Sequence, residues 1–405
     1  MKKVLHVALV APNGYSNKGL MDAFLNNGFS EYFLFDYQLQ SFSIGKDLMQ
    51  SALIQEADKI KPDIIFLQVQ SSEVLTLSTF QTLSRIAFTV NYTFDIRTKD
   101  QTEWLYNLAP VLGLICFSNQ RDVDECRSRG FNNTMVLQSS ADFEIYKPGK
   151  EKCNCPCHEE GSGMMHIVAC CDGGYVDKKR SGVVFVGNNY VNTNIEFPLS
   201  KDRENMVKFL QLKFGSYFEV YGNNWSGSKL TTQKEEVEIY QNAKLAINHN
   251  NFDEPAYTSD RLWRIMGTGA FCLTKYFKGI ECLFKKGYHL DWWSTLEELN
   301  KMVDYYVQVP MAHEIIARRG MEHVRSNHSW TARIKEMMTF IDSKIKVMGK
   351  NSCEVAGAHV IDGIIPLPTD EHFNNHICDC GRTRWVWSEC GCGEKTFQLR
   401  VQENI

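Results

Sequence analysis

The sequence has no apolar run long enough to cross a bilayer: the best candidate, LAPVLGLICF (108–117), falls well short of the roughly 18 residues a span requires. It lacks a leader pattern as well. MKKVLHVALV opens with two lysines, but its apolar stretch is short, β-branched and followed by a Gly/Asn turn instead of a small-residue cleavage site, so it reads as a first strand of a soluble, cytoplasmic chain. There is no excess of positive charge either. Lys and Arg number 44 against 48 Asp and Glu, a net charge of −4, which excludes a uniformly basic nucleic-acid coat and leaves room only for a local basic patch. Internal repeats at solenoid periods and low-complexity tracts are absent too, which removes array architectures from consideration.

What is present is a chain of 405 residues, too long for one ordinary core, so two domains plus an appendage are expected. The composition, 43% hydrophobic and 12% aromatic, can fill large cores. From residue 1 to 148, short apolar runs (KVLHVALV, EYFLFDY, DIIFLQVQ, IAFTVNYTFD, LGLICFSN, NTMVLQSS) alternate with amphipathic stretches such as GLMDAFLNNG and those near 46–60 and 75–86. Strands of four to eight residues separated by helices imply βαβ crossovers and a parallel sheet covered on both faces. The rhythm resumes over 181–345 with GVVFVGNNY, YFEVYGNNW, KLAINHN and GAFCLT. Helices are expected near 202–214, 234–243 and 259–267, another from the Ser294/Glu297 capping pair, and closing helices over 312–345. The fold class expected is α/β, with two tandem doubly wound domains (1–148 and 181–345), a Cys/His-rich insertion (149–180) and a Cys/Trp-rich tail (346–405). In such sheets ligands bind beyond the carboxyl ends of the strands, which places the site between the two domains.

The stretch YTSDRLWRIMGTGAFCLT (257–274) carries the clearest chemistry. Thr258, Ser259 or Asp260 can cap a helix whose first turn holds Arg261, so free backbone N–H groups and a planar guanidinium point the same way. That pairing suits a diphosphate. Gly267, Gly269 and Ala270 allow close approach of backbone or ligand. The plain alternative is a surface salt bridge with a glycine cap. APNGYSNKGL (11–20), with Asn13 and Gly14, follows the first strand and reads either as a close-approach loop for the acceptor or as an ordinary βα turn.

The segments FVGNNY (185–190), VYGNNW (220–225), INHN (247–250) and DRLWRIMGTGAFCLT occur in the order and spacing of the carboxyl-terminal domain of GT-B glycosyltransferases. NYTFDIR (91–97) with Trp104, ADFEIYKPG (141–149) and MEHVRSNHSWTARIKEMM (321–338) are similar to the strand-end Asp motif, the domain junction and the closing helix of the branch that includes spore-maturation proteins and many phage-encoded members. The resemblance implies two Rossmann-like domains, a nucleotide-sugar donor such as a UDP-sugar in the second and an acceptor mainly in the first. It also implies that Gly187, Asn188 and Tyr190 line the diphosphate loop, that Tyr221, Gly222 and Trp225 lie near the nucleobase, and that Ser259, Arg261, Gly267 and Gly269 hold the phosphates. Arg264 stands where that branch commonly has a glutamate, which leaves the donor open. For the chemistry, Arg261 would stabilise the departing diphosphate, while Asp95 would serve as base or acceptor-orienting carboxylate, or else as a helix cap or Arg97 partner. His249 would touch phosphate or sugar, or serve structurally.

Two cysteine clusters remain. Cys153, Cys155, Cys157, His158, His166, Cys170 and Cys171 form the first; His376, Cys378, Cys380, Cys390 and Cys392 form the second. Thiolates at this density match tetrahedral structural zinc, with disulfides or free thiols as the alternative. Between the cysteine pairs of the second cluster, GRTRWVWSE interleaves Arg382 and Arg384 with Trp385 and Trp387, a pattern suited to phosphates and stacked bases or to packing a small metal-dependent core. The expected activity is therefore sugar transfer to a macromolecule, with hydroxymethylcytosine in phage DNA as one acceptor. A cell-surface polysaccharide or protein is the alternative acceptor, and a non-catalytic sugar-nucleotide- or DNA-binding protein is the reading from another class.

Overall fold

The computed structural model describes residues 2–10, 17–152, 175–177, 180–194, 197–226, 231–351, 385–389 and 395–399. Six strands alternate with helices in the first half: β1 Lys2–Ala8, α1 Lys18–Asn26, β2 Phe29–Asp36, α2 Tyr37–Ile44, α3 Lys46–Ile60, β3 Ile64–Leu67, α4 Leu77–Ile86, β4 Phe88–Thr93, α5 Lys99–Leu108, β5 Leu114–Phe117, α6 Gln120–Ser128 and β6 Thr134–Val136. They build one parallel sheet in the order β2-β1-β3-β4-β5-β6. The central strands β3 and β5 are buried at every residue, because helices cover both faces and a β-strand sends successive side chains to opposite sides. One face packs Leu5, Val7, Ile65 and Phe117 against α3–α6; the other packs Val4, Phe66 and Tyr92 against α1.

Two short antiparallel strands, β7 Lys150–Lys152 and β8 Tyr175–Asp177, bracket the first cysteine cluster. The second domain follows with β9 Ser181–Val186, α7 Ser200–Phe214, β10 Phe218–Tyr221, α8 Gln233–Asn242, β11 Ala243–Asn248, α9 Asp260–Gly267, β12 Phe271–Lys275, β13 Asp291–Trp293 and α10 Leu296–Gln308. Its parallel sheet runs β10-β9-β11-β12-β13. The apolar rhythm does not announce β13, which is only three residues long and begins with Asp291, whose carboxylate accepts from the Tyr306 hydroxyl at 2.7 Å. The cap of α10 is Thr295 rather than Ser294. Residue 295 has the extended backbone a cap needs and its Oγ1 accepts the Glu298 amide at 3.2 Å, so the capping pair sits one residue later than the Ser294/Glu297 spacing predicts.

Two helices close the chain's path: α11 Pro310–Asn327 and α12 Trp330–Asn351. Helix α12 returns to the first domain, where Ile334, Met337 and Ile341 are buried with Val4, Leu20 and Phe24, each contributing about 1.5–3 kcal/mol of apolar burial. A further antiparallel pair, β14 Trp385–Glu389 and β15 Lys395–Leu399, brackets Cys390 and Cys392. The two domains are tied by Arg121 Nη1 to Glu254 at 2.7 Å, Trp263 Nε1 to Ser139 Oγ at 3.1 Å and Ser140 Oγ to the His328 carbonyl at 2.6 Å.

All twelve proposed metal ligands (Cys153, Cys155, Cys157, His158, His166, Cys170, Cys171, His376, Cys378, Cys380, Cys390 and Cys392) lie outside the described residues, as do Asn13, Gly14, Arg382 and Arg384. Trp385 and Trp387 fall on β14. Among the described residues no group of three or more His, Cys, Asp or Glu is placed to hold a metal, and no helix is long and apolar enough to cross a membrane. Cys116, Cys126 and Cys272 are free and buried.

Candidate active site

Strands β9 and β10 are neighbours and both run out into the same tripeptide, Gly-Asn-Asn, at 187–189 and 222–224. The two loops clasp each other. The Gly187 amide donates to the Tyr221 carbonyl at 2.8 Å, the Asn223 amide donates to Asn188 Oδ1 at 2.8 Å, and Trp225 Nε1 donates to the Gly187 carbonyl at 2.6 Å. Gly222 has φ +125°, and a Cβ there would lie 2.5 Å from the Gly187 oxygen, so only glycine fits this crossing. Asn188 Nδ2 donates to the Tyr190 hydroxyl at 3.2 Å, and the Tyr190 ring meets Phe197 edge-on at 4.7 Å. Gly187, Asn188, Tyr190, Tyr221, Gly222 and Trp225 thus come together as one ledge at the carboxyl edge of the second sheet.

Arg261 reaches this ledge from the first turn of α9. Its Nε donates to the Val186 carbonyl and its Nη1 to the His249 carbonyl at 3.1 Å, with Ser259 Oγ and Asn248 Oδ1 at 3.4 Å. A Cβ on Gly187 would lie 2.9 Å from Arg261 Nη2, so the glycine makes room for the guanidinium. A second arginine meets it. Arg203, in the first turn of α7 and 1% exposed, donates from Nη1 to the Asn188 carbonyl at 3.2 Å and from Nη2 to the His249 carbonyl at 2.6 Å. Both guanidinium carbons lie over the Phe185 ring, at 5.6 Å and 5.4 Å.

Neither arginine has a carboxylate within ion-pairing distance among the described residues, whereas Arg121 and Arg264 each have two. Burial, and then the Arg261 charge, push the Arg203 guanidinium well below arginine's usual value, and its Nε has no partner among the described residues. A buried cation without a counter-charge costs several kcal/mol, and arginine cannot shed its proton. The helix ends add to the field: neither Leu199 before α7 nor Ser259 before α9 caps the amides with its side chain. The arrangement leaves positive charge that an anion can balance.

His249 serves this site through its backbone. Its carbonyl accepts from both arginines, while its buried ring is committed, with Nδ1 at 2.7 Å from the Asn250 carbonyl and Nε2 at 2.8 Å from Asp202 Oδ2. Burial lowers the His249 pKa and the Asp202 bond opposes it. Asp202 in turn is held well below the usual carboxylate range by the His249 bond and by its ion pair with Lys275. Asp202 therefore leaves its neighbour Arg203 uncompensated.

Gly267 and Gly269 are not brought to Arg261. They end α9, and an eight-residue helix separates its ends by about 12 Å. A Cβ on Gly267 would lie 2.7 Å from the Phe143 ring and one on Gly269 3.3 Å from Arg180, so both glycines serve packing against the domain junction. Arg264 is no free cation either: it pairs with Glu236 at 3.1 Å and with Asp260, and lies over the Tyr146 ring.

From the first domain, Asp95 follows β4 and is exposed, yet the surrounding protein raises its carboxyl pKa, with Arg97 lowering it and Asp260 of the other domain raising it further. Beside it Ile96 joins Phe252, Tyr257 and Phe197 in an apolar cluster that spans both domains. Sequence reasoning missed Arg203, Asp202 and Lys275. The first of these was within reach, because an arginine in the first turn of a helix after a Gly-Asn-Asn loop repeats the signal read at Arg261.

A groove of about 560 Å³ runs beside β9, the edge strand β10 and α8, lined by Glu219, Glu235 and Glu238. Its carboxylates repel what the arginines attract, and it does not include Arg203 or Arg261.

Residues 203–339 match the glycosyl transferase-like family model. No curated protein matches the sequence. Among solved structures the chain is similar to Anabaena HepE in complex with UDP-glucose, at 14% identity over 85% of this chain and 100% of that one, with a TM-score of 0.57. A Rickettsia africae glycosyltransferase aligns at 9% identity over 85% and 99%, with a TM-score of 0.51. Thermosynechococcus elongatus sucrose-phosphate synthase aligns at 8% over 86% and 100%, with a TM-score of 0.50. Likeness at these identities establishes the two-domain GT-B fold, and the matched segment establishes a glycosyl transferase-like domain within it.

Proposed function

From a glycosyl transferase-like domain on a GT-B fold, we propose that the chain is an enzyme that moves a sugar from a nucleoside-diphosphate donor, of which a UDP-sugar is the first choice, to a hydroxyl of a macromolecular acceptor. The observation that carries this is the pair Arg203 and Arg261, two guanidiniums without counter-charge among the described residues, at two helix ends with no side-chain cap. The diphosphate supplies the missing charge, and as the sugar–phosphate bond breaks the same groups stabilise the charge that develops on the leaving oxygen. The clasped loops at 187–190 and 221–225 hold the diphosphate and the nucleobase. Asp95 takes the proton from the acceptor hydroxyl that attacks the anomeric carbon; a raised carboxyl pKa brings it closer to the working range of a base.

For the acceptor, Arg382, Arg384, Trp385 and Trp387 combine phosphate-binding and stacking groups and favour DNA, with 5-hydroxymethylcytosine of phage DNA as the base that offers a hydroxyl. The two cysteine clusters, the first between β7 and β8 and the second with Cys390 and Cys392 between β14 and β15, hold structural zinc. The test is mass spectrometry of hydroxymethylated duplex DNA, polysaccharide and protein acceptors after incubation with mixed UDP-, GDP- and other nucleotide sugars, with metal analysis of the same preparation. Transfer from a nucleotide sugar, with zinc bound to the protein, is the expected outcome. The absence of turnover or hydrolysis with any donor would leave a binding protein, and a polysaccharide or protein product would reject the DNA acceptor.

A further inference from the structure

Helix α2 is the one α-helix among the described residues without a charged side chain: its sequence is YQLQSFSI, whereas every other carries Lys, Arg, Asp or Glu. Tyr37 is its only buried residue. The chain then turns at Gly45, φ +84°, into α3, and every residue from Phe42 to Leu48 is exposed. Leu39 and Phe42, three positions apart, share one face of α2. Phe42 is 91% exposed, Leu48 62%, Leu39 59% and Ile44 41%. A solitary exposed leucine is ordinary, but four large apolar side chains between residues 39 and 48 make a patch. Since α2 follows β2, the outer strand of the first sheet, a second molecule can approach it.

The size of the patch and the charges around it fit a second copy of this chain. At about 180 Å² for a fully exposed large side chain, the four offer roughly 450 Å². One partner contributes about 800 Å² to a standard interface, and somewhat over half of that is apolar, so the patch supplies the apolar part of one such contact. An anionic lipid surface would call for clustered cations. Residues 31–47 instead hold Glu31, Asp36 and Asp47 against Lys46 alone. The rim is self-complementary: Lys46 and Asp47 open α3 side by side, both exposed, and form no ion pair among the described residues. A twofold axis sets the same patch against itself and lets the Lys46 of each copy meet the Asp47 of the other. We propose that two copies of this chain associate through α2 and the start of α3, with Phe42 at the centre of the contact and Lys46–Asp47 pairs at its rim.

Sedimentation velocity of the full chain at about 1–100 μM, the range in which an interface of modest size dissociates, tests the proposal. Wild type should pass from monomer to dimer across that range. Phe42→Asp should stay monomeric at every concentration with its circular dichroism unchanged, because the side chain it replaces packs against nothing in the core. Leu212→Asp, at an 89% exposed leucine on α7 of the other domain, should dimerise like wild type. Charge reversal gives a second readout. Lys46→Glu should weaken the dimer about threefold or more, and adding Asp47→Lys should restore it, which a surface that is only adhesive would not do. A wild type that stays monomeric throughout, a dimer that survives Phe42→Asp, or a double reversal no tighter than Lys46→Glu alone would each overturn the proposal. So would monomeric wild type that binds phosphatidylcholine or phosphatidylserine vesicles and loses that binding in Phe42→Asp, since the patch would then belong to a lipid surface.

Discussion

Arg203 and Arg264 show how little a residue's type says without its neighbours. Arg264, which sequence position marks as an extra cation near the donor, is cancelled by Glu236 and Asp260, while Arg203, buried at 1% exposure, keeps its full charge because Asp202 turns to His249 and Lys275. His6 shows the opposite case, a titratable group buried without a charge. The Tyr32 hydroxyl donates to its Nδ1, and its Nε2–H donates to Gln68 Oε1 at 2.8 Å. Burial pulls its pKa down to about 4. The unfolded chain then takes up the proton first, so the neutral ring's contribution is complete above about pH 6.5 and is lost as pH falls toward 4, an effect of about 3 kcal/mol. In thermal denaturation, the stability gap between wild type and His6→Gln should narrow steadily between pH 6.5 and 4. A gap that stays constant across that window would show that His6 titrates normally.

At the scale of elements, the central strands were legible because they are short apolar runs buried on both faces, as in LICF of β5 and VVFV of β9, and most helices because they carry one apolar stripe, whereas β13 follows no such run. The site was legible only in part. Arg261 could be singled out because the helix start, the arginine and the glycines are contiguous in sequence, but contiguity misled for Gly267 and Gly269, which the length of α9 carries away to the domain junction. The meeting of Arg203 with Arg261 was not legible at all. It depends on β9 lying between β10 and β11, which brings the ends of α7 and α9 to one carbonyl, that of His249. Gly187→Ala probes this meeting directly. The new Cβ would press on Arg261 Nη2, the far end of a flexible side chain, so the fold should survive while the guanidinium is displaced. UDP affinity is expected to fall about tenfold, as for one lost charge-assisted contact, with a melting temperature within a few degrees of wild type. Unchanged affinity would place the ligand away from Gly187.

At the scale of the whole molecule, the two sheets are joined by contacts that run in both directions along the chain. Helix α12 leaves the second domain to complete the core of the first, and the loop before α9 reaches back through Glu254 to Arg121 and through the Ala256 carbonyl to Gln138. Ala256 adopts φ +61°, strained for a residue with a Cβ, so this loop is held in place by its bonds rather than by its own preference. Under the proposed function, these contacts hold the donor-side residues (Arg203, Arg261, the clasped loops) and the acceptor-side Asp95 in fixed relation to one another. The first cysteine cluster lies between β7 and β8, and Cys390 and Cys392 lie between β14 and β15, strand pairs that belong to neither sheet. The central claim is that an anion between two unpaired arginines is the main anchor of the donor. The most direct measurement is a calorimetric comparison of UDP with uridine, on wild type and on Arg261→Ala. The account predicts that UDP binds at least about a hundredfold more tightly than uridine and that Arg261→Ala cuts that preference about tenfold or more while Arg203 keeps the remainder, since two charge-assisted contacts to a diphosphate are each worth about 1.5–3 kcal/mol. Equal binding of UDP and uridine by the wild type, or a UDP preference undiminished in Arg261→Ala, would contradict it.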